Sequence, residues 1–459
     1  MQPLQAPPVT VHNQPLPGPV LKYLRFQCYN NAAVSILAGV PMLLFAKQLE
    51  GSNTVLGLIA SLPPLAVMLQ IPAATLLQSY SYKKVFVAGF FLAGIASLFI
   101  AVLPFLPRAI DAPTRLALLI AGIGTFHSIR AVSSTGAWAW IMQLMPESQR
   151  GKFLSHEQIV GNAAGLVMML LAALALEADS QTHIYGCFFL FASLLSFKSW
   201  DTLRSIPDVP VDVTPASPQP VPWLAILRFR PFQKLIIFSA VFFFAFSAVI
   251  VFWMPLMRDE LRCSQSTILL MVASCQLCAI GTMNLFSHIL DRTGSRPVLY
   301  FALTMAVVHL LLWGLVAAGT LPFYWLTMAL IAITSALAFN TFMISLARLM
   351  MHTVPPTGRT HFFALFNVSN NLMLGFMPVV WGMMLDFMGD WEIQVSIFEL
   401  NRFSLLYLIL AGTMVLCLLL IRTLREQNTA RPGEVFEHVL LHIPIRAWAR
   451  LNNWIYSRF

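Results

Sequence analysis

Charged residues are scarce in this sequence of 459 residues, of which they make up 10%. A water-soluble domain usually contains about 25% Asp, Glu, Lys and Arg. With so little charge, a soluble protein of this length could not cover its surface. With 58% apolar residues, the chain also cannot belong to the disordered class. The low charge content therefore excludes soluble and disordered proteins and favours a chain that lies in a membrane.

Cysteine and motifs for metal or cofactor binding are equally sparse. The six cysteines lie mostly inside apolar runs, so the sequence predicts no disulfide framework. Cys275 and Cys278 have the spacing of half a metal site, but no second Cys or His pair accompanies them. There is also no phosphate-binding glycine loop and no order of residues typical of a hydrolase. We therefore expect no metal, no cofactor and no enzymatic activity.

Long apolar runs divide the chain into twelve segments, each long enough to cross a hydrocarbon core of about 30 Å. The segments are predicted at 23–47, 54–77, 85–105, 115–144, 152–176, 183–199, 232–256, 264–289, 297–318, 322–349, 361–386 and 402–423. A stretch with six prolines, from Asp201 to Pro222, separates the sixth span from the seventh. The predicted fold class is an all-α polytopic membrane protein of two six-helix bundles.

Five regions follow from these boundaries. We expect a cytoplasmic proline-rich tail at 1–22, an N-terminal bundle at 23–200, a cytoplasmic linker at 201–231, a C-terminal bundle at 232–423 and a cytoplasmic tail at 424–459. Within the last region, arginines alternate with aromatic residues, and apolar residues recur at helical spacing. This pattern predicts an amphipathic helix on the membrane surface, with a partner-binding tail as the alternative.

The basic residues indicate orientation. On the side of the termini lie 21 of the 28 Lys and Arg residues, and six lie on the other side. The positive-inside rule then predicts cytoplasmic termini and a multi-pass protein of the plasma (inner) membrane. Because the charges are spread over short loops, the net charge of +9 does not indicate nucleic-acid binding. The remaining basic residue, Arg130, lies near the middle of the fourth span.

The two halves share features at a nearly constant offset, which indicates an internal repeat. Pro146-Glu-Ser-Gln-Arg150 after the fourth span matches Pro355-Pro-Thr-Gly-Arg359 after the tenth span, at an offset of 209 residues. The loop after the eighth span reads Asp291-Arg292-Thr-Gly294-Ser-Arg296. It resembles the signature loop of the major facilitator superfamily, and Pro146 to Gly151 resembles that superfamily's P-x-x-x-R-G motif. The resemblance covers about residues 20 to 425.

The resemblance implies a transporter that works by alternating access, with conformational roles for these loop residues. The predicted gating residues are Asp291, Arg292, Gly294, Arg296, Arg150 and Arg359. A plain orientation signal is the alternative reading of the same charges. The corresponding loop of the first half has Ser79 where the family has Asp, so we place the stronger gate in the second half.

Arg130 is the strongest candidate for a binding residue, because an ionisable group inside a membrane span is costly and usually functional. Two readings of Arg130 remain open. It either pairs with Glu157 of the fifth span or faces the cavity and binds an anionic group of the substrate. In the family's fold, helices one, four, seven and ten line the cavity. The predicted substrate-binding residues are Arg130, His127, Asn31, Asn340, Asn371 and Gln276.

The sequence thus predicts a secondary transporter for a small organic solute that carries negative charge. The alternative is an exporter of amphipathic drugs or lipids, which a phenylalanine-rich seventh span, Phe238 to Phe252, would favour. A membrane sensor or enzyme is a further alternative, although the external loops are short. The expected partners are a small-molecule substrate, the lipid bilayer and a coupling proton, without nucleic acid, and we expect a monomer. The scarcity of membrane carboxylates leaves the coupling mode open.

Overall fold

The fold is almost entirely helical. The computed structural model describes residues 16–76, 81–107, 110–135, 137–144, 150–178, 182–208, 223–355, 359–395, 398–424, 433 and 435. The first half contains α1 (Gly18–Leu37), α2 (Val40–Gln48), α3 (Asn53–Val67), α4 (Gln70–Leu76), α5 (Tyr82–Val102), α6 (Ala112–Ser133), α7 (Ala137–Gln143), α8 (Arg150–Ala178) and α9 (Thr182–Arg204). The second half contains α10 (Trp223–Arg228), α11 (Arg230–Pro255), α12 (Gln265–Thr293), α13 (Ser295–Ala317), α14 (Trp325–Ser335), α15 (Thr341–Thr353), α16 (Arg359–Met388) and α17 (Arg402–Leu420).

Each of the twelve predicted spans coincides with a helix or with two consecutive helices. In the described residues, eleven helices are long and apolar enough to cross a membrane. The sixth predicted span corresponds to α9, a helix of 23 residues. Four spans are interrupted: the first into α1 and α2, the second into α3 and α4, the fourth into α6 and α7, and the tenth by a π-helical turn, Ala336–Asn340, between α14 and α15.

Contacts group the chain into two units, residues 1–218 with 264–273 and residues 219–263 with 274–459. In the first unit, α1 of the first span packs on α8 and α9, the fifth and sixth spans. The third span, α5, packs on α6 of the fourth span and on α9. The second unit repeats these pairings between its own spans: α11 packs on α16 and α17, and α13 packs on α15 and α17. The predicted fold class of two related six-helix bundles is therefore confirmed.

Aromatic side chains dominate the core of the first unit. Tyr23 and Phe26 of α1 contact Phe153 of α8 and the pair Phe86 and Phe90 of α5, with ring centroids between 4.7 and 5.7 Å apart. Such tilted and edge-on pairs add to the stabilisation that burial of the rings provides. This cluster joins α1, α5 and α8 into one packed core.

Many large apolar side chains lie on the outside of the helices. Leu174 of α8, Leu194 of α9 and Leu277 of α12 are examples of such exposed residues. Monomeric soluble proteins rarely expose apolar surface on this scale, whereas a bilayer is the solvent that suits it. The helices thus carry polar groups between them and apolar groups where lipid would lie.

A short hairpin precedes the last helix. Strand β1 (Glu392–Val395) pairs antiparallel with β2 (Phe398–Asn401), and Glu392 lies opposite Asn401. Asn401 then begins α17 with a capping box. Its Oδ1 accepts hydrogen bonds from the backbone N–H groups of Phe403 and Ser404, and the Oγ of Ser404 accepts one from the N–H of Asn401. The hairpin was not predicted from the sequence.

The buried Asn401 side chain also ties α17 to α13, because its Nδ2 donates to the carbonyl of Ala317 at 2.7 Å. Replacing Asn401 with alanine removes the cap and leaves that carbonyl without this partner. We expect a loss of about 2 kcal/mol or more in the free energy of unfolding. Replacement with aspartate should cost less, because the cap acceptor remains. Thermal unfolding in detergent checks this order, and equal melting temperatures for Asn401→Ala and the parent would contradict it.

Candidate substrate-binding site

The fourth span is interrupted next to Arg130. Asp111 caps the start of α6, where its carboxylate accepts a hydrogen bond from the backbone N–H of Thr114. Hydrogen bonds from the side chain of Thr114 and from its backbone N–H lower the pKa of Asp111. The helix ends at Ser133, three residues after Arg130. The hydroxyl groups of Ser133 and Ser134 donate back to the carbonyls of Arg130 and Ala131, at 3.0 and 3.1 Å. These hydroxyls compete for carbonyls at the helix end, which explains why the helix stops at a run of Ser and Thr.

The interruption of the second span meets that of the fourth. Helix α4 begins at Gln70, and the Nε2 of Gln70 donates a hydrogen bond to the Oγ of Ser134 at 3.1 Å. Ser134, the residue that caps the end of α6, therefore binds the start of α4. Interrupted spans of this kind bring polar backbone groups into a membrane protein's interior, where binding sites form.

Arg130 lies in the last turn of α6 and is half-buried. Its guanidinium carbon stands 4.7 Å from the centroid of the Phe90 ring and 5.2 Å from that of Phe126. A cation over aromatic rings gains about 0.5–2 kcal/mol. Among the described residues, no carboxylate forms an ion pair with Arg130. The site therefore holds a positive charge that two aromatic rings stabilise only in part.

His127 lies one turn before Arg130 and is buried. Its ring meets that of Phe126 edge-on at 5.2 Å, and its Nε2 has no hydrogen-bond partner in the part of the chain that the structure describes. Buried polar atoms without partners are rare in folded proteins. His127 therefore adds an unused polar atom next to the guanidinium of Arg130.

Glu157, the alternative partner of Arg130, is occupied by other groups. Its Oε1 accepts hydrogen bonds from the Nε2 of Gln27 and from the hydroxyl of Tyr23, both on α1. Asn31, which we predicted to bind substrate, lies one turn further along the same face of α1 and abuts Gly161 of α8. The structure thus places Asn31 between α1 and α8, close to Glu157, and leaves Arg130 without this carboxylate.

In the second unit, Asn340 ends the π-helical turn of the tenth span. By the offset of 209, residues 336–340 correspond to residues 127–131 of the fourth span. The tenth span is thus distorted at the positions that match His127 and Arg130. Because π-turns often occur at functional sites, this correspondence strengthens the candidacy of Asn340. Phe339, the counterpart of Arg130, packs on Phe246 at 5.0 Å.

The two other predicted polar residues of the second unit differ in their surroundings. The Oε1 of Gln276 on α12 is buried without a hydrogen-bond partner among the described residues. The neighbouring Cys275 is hydrogen-bonded to Ser335, which precedes the π-turn. Asn371 instead donates to the carbonyl of Asn367 within its own helix, at 2.9 Å. Gln276 therefore has an acceptor to offer near the π-turn, whereas one of the two amide N–H donors of Asn371 is used within its own helix.

The predicted gating residues are described only in part. Gly294 has φ = 85° and allows the sharp turn from α12 into α13, a backbone conformation that favours glycine. The Nη2 of Arg296 reaches the carbonyl of Arg422 at 3.4 Å. The side chains of Arg150, Asp291, Arg292 and Arg359 lie outside the described residues, as do the proline-rich linker from residue 209 to 222 and the predicted surface helix of the C-terminal tail.

Three residues of these sites were not predicted: Gln27, Tyr23 and Gln70. Gln27 had a detectable signal, since a glutamine inside an apolar span is itself unusual. Its spacing of four residues from both Tyr23 and Asn31 places the three side chains on one helix face. Gln70 had no such signal, because its role depends on where α3 ends.

Interrupted membrane-spanning helices in two repeated bundles are typical of one class of protein, the secondary transporters. Residues 27–374 match the family model of the Major Facilitator Superfamily. The chain belongs to this superfamily, which confirms the resemblance seen in its loops.

Solved structures of the same fold include transporters of unlike solutes. A mutant of the nucleoside transporter NupG is 15% identical, with a TM-score of 0.69 over 89% of this chain and 99% of that one. A D-xylose-proton symporter is 17% identical, with a TM-score of 0.67 over 90% and 98% of the two chains. A bacterial homologue of the iron transporter ferroportin is 14% identical, with a TM-score of 0.67 over 90% and 99%. No curated protein matches the sequence.

Proposed function

We propose that this protein carries a small organic anion across the membrane by alternating access and that Arg130 binds the anionic group. The observation that carries the proposal is a half-buried arginine in the fourth span, without a carboxylate partner among the described residues. Burying an unpaired charge costs several kcal/mol, and the two aromatic contacts offset only part of it. A negatively charged solute would supply the missing counter-charge.

One neighbouring group suits the rest of such a solute, because the ring Nε2 of His127, one turn before Arg130, has no hydrogen-bond partner among the described residues. Within the second unit, the repeat-related π-turn carries Asn340. The similar structures are described as a nucleoside transporter, a D-xylose-proton symporter and a homologue of an iron transporter, so the fold accommodates several chemistries. The excess of basic residues on the side of the termini supports cytoplasmic termini and a plasma-membrane location.

Export of amphipathic compounds remains the second candidate. It rested on the phenylalanines of the seventh span, of which Phe238, Phe242 and Phe252 are buried. Phe242 stacks on Phe342 of α15 with ring centroids 3.4 Å apart. These rings pack helices of the second unit together, so they offer little surface to an amphipathic cargo. The structural observations therefore favour an anionic solute.

The experiment measures how far each of a fixed panel of solutes raises the melting temperature of the purified protein. The anions are succinate, gluconate, glucose 6-phosphate and uridine 5′-monophosphate, and the neutral comparators are D-xylose and uridine. A solute that binds only the folded state stabilises it by about 2.7 kcal/mol at 100 times its dissociation constant. We expect stabilisation by at least one anion and about 10- to 100-fold weaker binding in Arg130→Ala, because a charge-assisted hydrogen bond contributes about 1.5–3 kcal/mol.

Two further variants make the result specific. Arg130→Lys keeps the charge but loses the planar fork and should bind with intermediate affinity. Arg228→Ala removes an exposed arginine of α10 and should bind like the parent. Uptake of the labelled anion into liposomes should follow the same order. If only neutral solutes stabilise the protein, or if Arg130→Ala binds and transports the anion as well as the parent, the proposal is wrong.

A further inference from the structure

We propose that Glu157, held by Gln27 and Tyr23, is a proton-binding site that couples this transporter to a proton gradient. The site lies entirely within the first unit, between α1 and α8. The proton-binding part of the proposal stands alone, and the coupling part rests on the proposed function.

Glu157 is 6% exposed and lies inside a helix that can span a membrane, near one end of the span. An ionised carboxylate in such a place is costly unless a cation pairs with it. Among the described residues, no Lys, Arg or His forms an ion pair with Glu157. Two neutral donors, Gln27 and Tyr23, meet its Oε1 instead. The carboxyl group can therefore change its protonation state without breaking a salt bridge to any of the described residues.

The partners of Glu157 are suited to a carboxyl group that gains and loses a proton. The phenol of Tyr23 contains a donor and an acceptor, so it can donate to the carboxylate or accept from the carboxylic acid, and the Nε2 of Gln27 can donate to an oxygen of either form. The Nδ2 of Asn30 donates to the Oε1 of Gln27 at 3.2 Å and thereby directs the Nε2 of Gln27 towards Glu157. The Oδ1 of Asn30 is buried without a partner among the described residues. An Arg or Lys in place of Gln27 would instead fix the anion.

Several charged groups on the neighbouring helices bind partners other than Glu157. The ionisable residues described on α1 and α9, the helices that pack against α8, are Lys22, Tyr23, Arg25, Cys28, Tyr29, His183, Tyr185, Cys187, Lys198, Asp201 and Arg204. Of these, Tyr23 contacts Glu157. Asp201 pairs with Lys198 and Arg204, and Lys22 donates to the carbonyl of Ser205. On α8 itself, His156 is exposed.

A continuous row of aromatic contacts joins this site to Arg130. Tyr23, which binds Glu157, lies 5.4 Å from Phe26, and Phe26 lies 5.2 Å from Phe90. Phe90 in turn lies under the guanidinium of Arg130 at 4.7 Å. Packed side chains that touch in series can carry a shift from one site to another. Protonation of Glu157 would alter the hydrogen bond at Tyr23 and, through this row, the position of Arg130.

Infrared difference spectroscopy of the parent in lipid nanodiscs, between acidic and neutral buffer, tests proton binding without a substrate. We expect the C=O stretching band of a buried carboxylic acid, absent in Glu157→Gln and present in the matched control Glu392→Gln, which changes an exposed glutamate of β1. In Tyr23→Phe the aromatic packing remains but the hydroxyl is lost, so the band should shift. This variant keeps the test decisive if Glu157→Gln does not fold. A spectrum without this band, or a band that is unchanged in Glu157→Gln or in Tyr23→Phe, overturns the proposal.

Coupling is tested in proteoliposomes with the four labelled anions of the panel. For each variant, accumulation driven by a pH gradient is divided by exchange at equal pH. In Glu157→Gln we expect accumulation under a pH gradient to fall to the level measured without a gradient, which lowers the ratio. In Glu392→Gln the ratio should stay at the parental value. An unchanged ratio in Glu157→Gln, in a protein whose transport depends on Arg130, refutes coupling but leaves the proposed function intact. If no anion is transported, the proposed function fails, and the infrared result alone decides whether Glu157 binds a proton.

Discussion

Alanine in place of Gly89 is expected to push α5 away from α6 and to destabilise the first unit by about 2 kcal/mol. A Cβ atom at this position would lie 2.0 Å from the Cβ of Ser133 and 2.6 Å from its Oγ. Ordinary contacts between such atoms begin near 3.5 Å, so one helix must move. Overpacking of this kind costs about 1–3 kcal/mol. Because alanine is also the better helix former by about 1 kcal/mol, the measured loss would understate the clash.

The same substitution should affect the candidate binding site. Gly89 precedes Phe90, whose ring lies under Arg130, and Ser133 ends the helix that carries Arg130. A separation of α5 from α6 therefore pulls the ring away from the guanidinium. We expect weaker stabilisation by the organic anion in Gly89→Ala as well as a lower melting temperature in detergent.

Double variants distinguish this clash from other effects. Removing the Cβ of the partner, in Gly89→Ala with Ser133→Gly, leaves the nearest remaining atom, the Cα of Ser133, at 3.4 Å and should restore much of the stability. Adding Ser133→Ala to Gly89→Ala should not, because the closest atom, the Cβ, is still present. Gly412→Ala on α17 serves as the control, since nothing lies within 4 Å of its added Cβ. Equal stability of Gly89→Ala and the parent would show that the helices are not this close.

The membrane spans were predictable because hydropathy and length are properties of the sequence alone. All twelve predicted spans coincide with helices, and the repeat offset correctly pairs the fourth span with the tenth. Arg130 could be singled out as a candidate from the sequence for the same reason, since it is the basic residue whose position the positive-inside rule does not explain. The interruptions were harder to predict. The fourth span predicted from the sequence continues through Ser133-Ser134-Thr135. In the structure, the hydroxyls of these residues donate to carbonyls at the end of α6.

The partners of Glu157 show where sequence reasoning ends. The sequence offers Arg130 and Glu157 on adjacent spans, and opposite charges suggest a pair. Which residues meet depends on the rotation of each helix, and α1 turns Tyr23 and Gln27 towards α8. A helix rotation is set by packing, here by Phe26 and Tyr23 in the aromatic core and by Gly161, which leaves room for Asn31. No single-sequence pattern contains that information.

The break in the first span gives the second large prediction. Gly39 separates α1 from α2, and a Cβ at this position would lie 2.0 Å from the carbonyl oxygen of Ser35. Unlike a flexible side chain, this backbone oxygen cannot move without disturbing the last turn of α1. Gly39→Ala is therefore expected to lower the free energy of unfolding by about 2–3 kcal/mol, the upper part of the range of about 1–3 kcal/mol for overpacked sites. Gly18→Ala at the start of α1, where nothing lies within 4 Å, should leave stability near that of the parent.

Pro41 prevents the chain from relieving this clash by forming one continuous helix from α1 and α2. If the substituted alanine became helical so that α1 and α2 formed one helix, the proline ring would clash with the carbonyl of Leu37, which costs about 3 kcal/mol in a helix interior. The double variant Gly39→Ala with Pro41→Ala removes both obstacles, and we expect it to regain stability as one continuous helix. It should still lose anion uptake in liposomes, because straightening the span shifts Gln27 and Asn31 against α8. A double variant that regains both stability and uptake would show that the break serves folding alone, and a Gly39→Ala variant as stable as the parent would contradict the predicted clash.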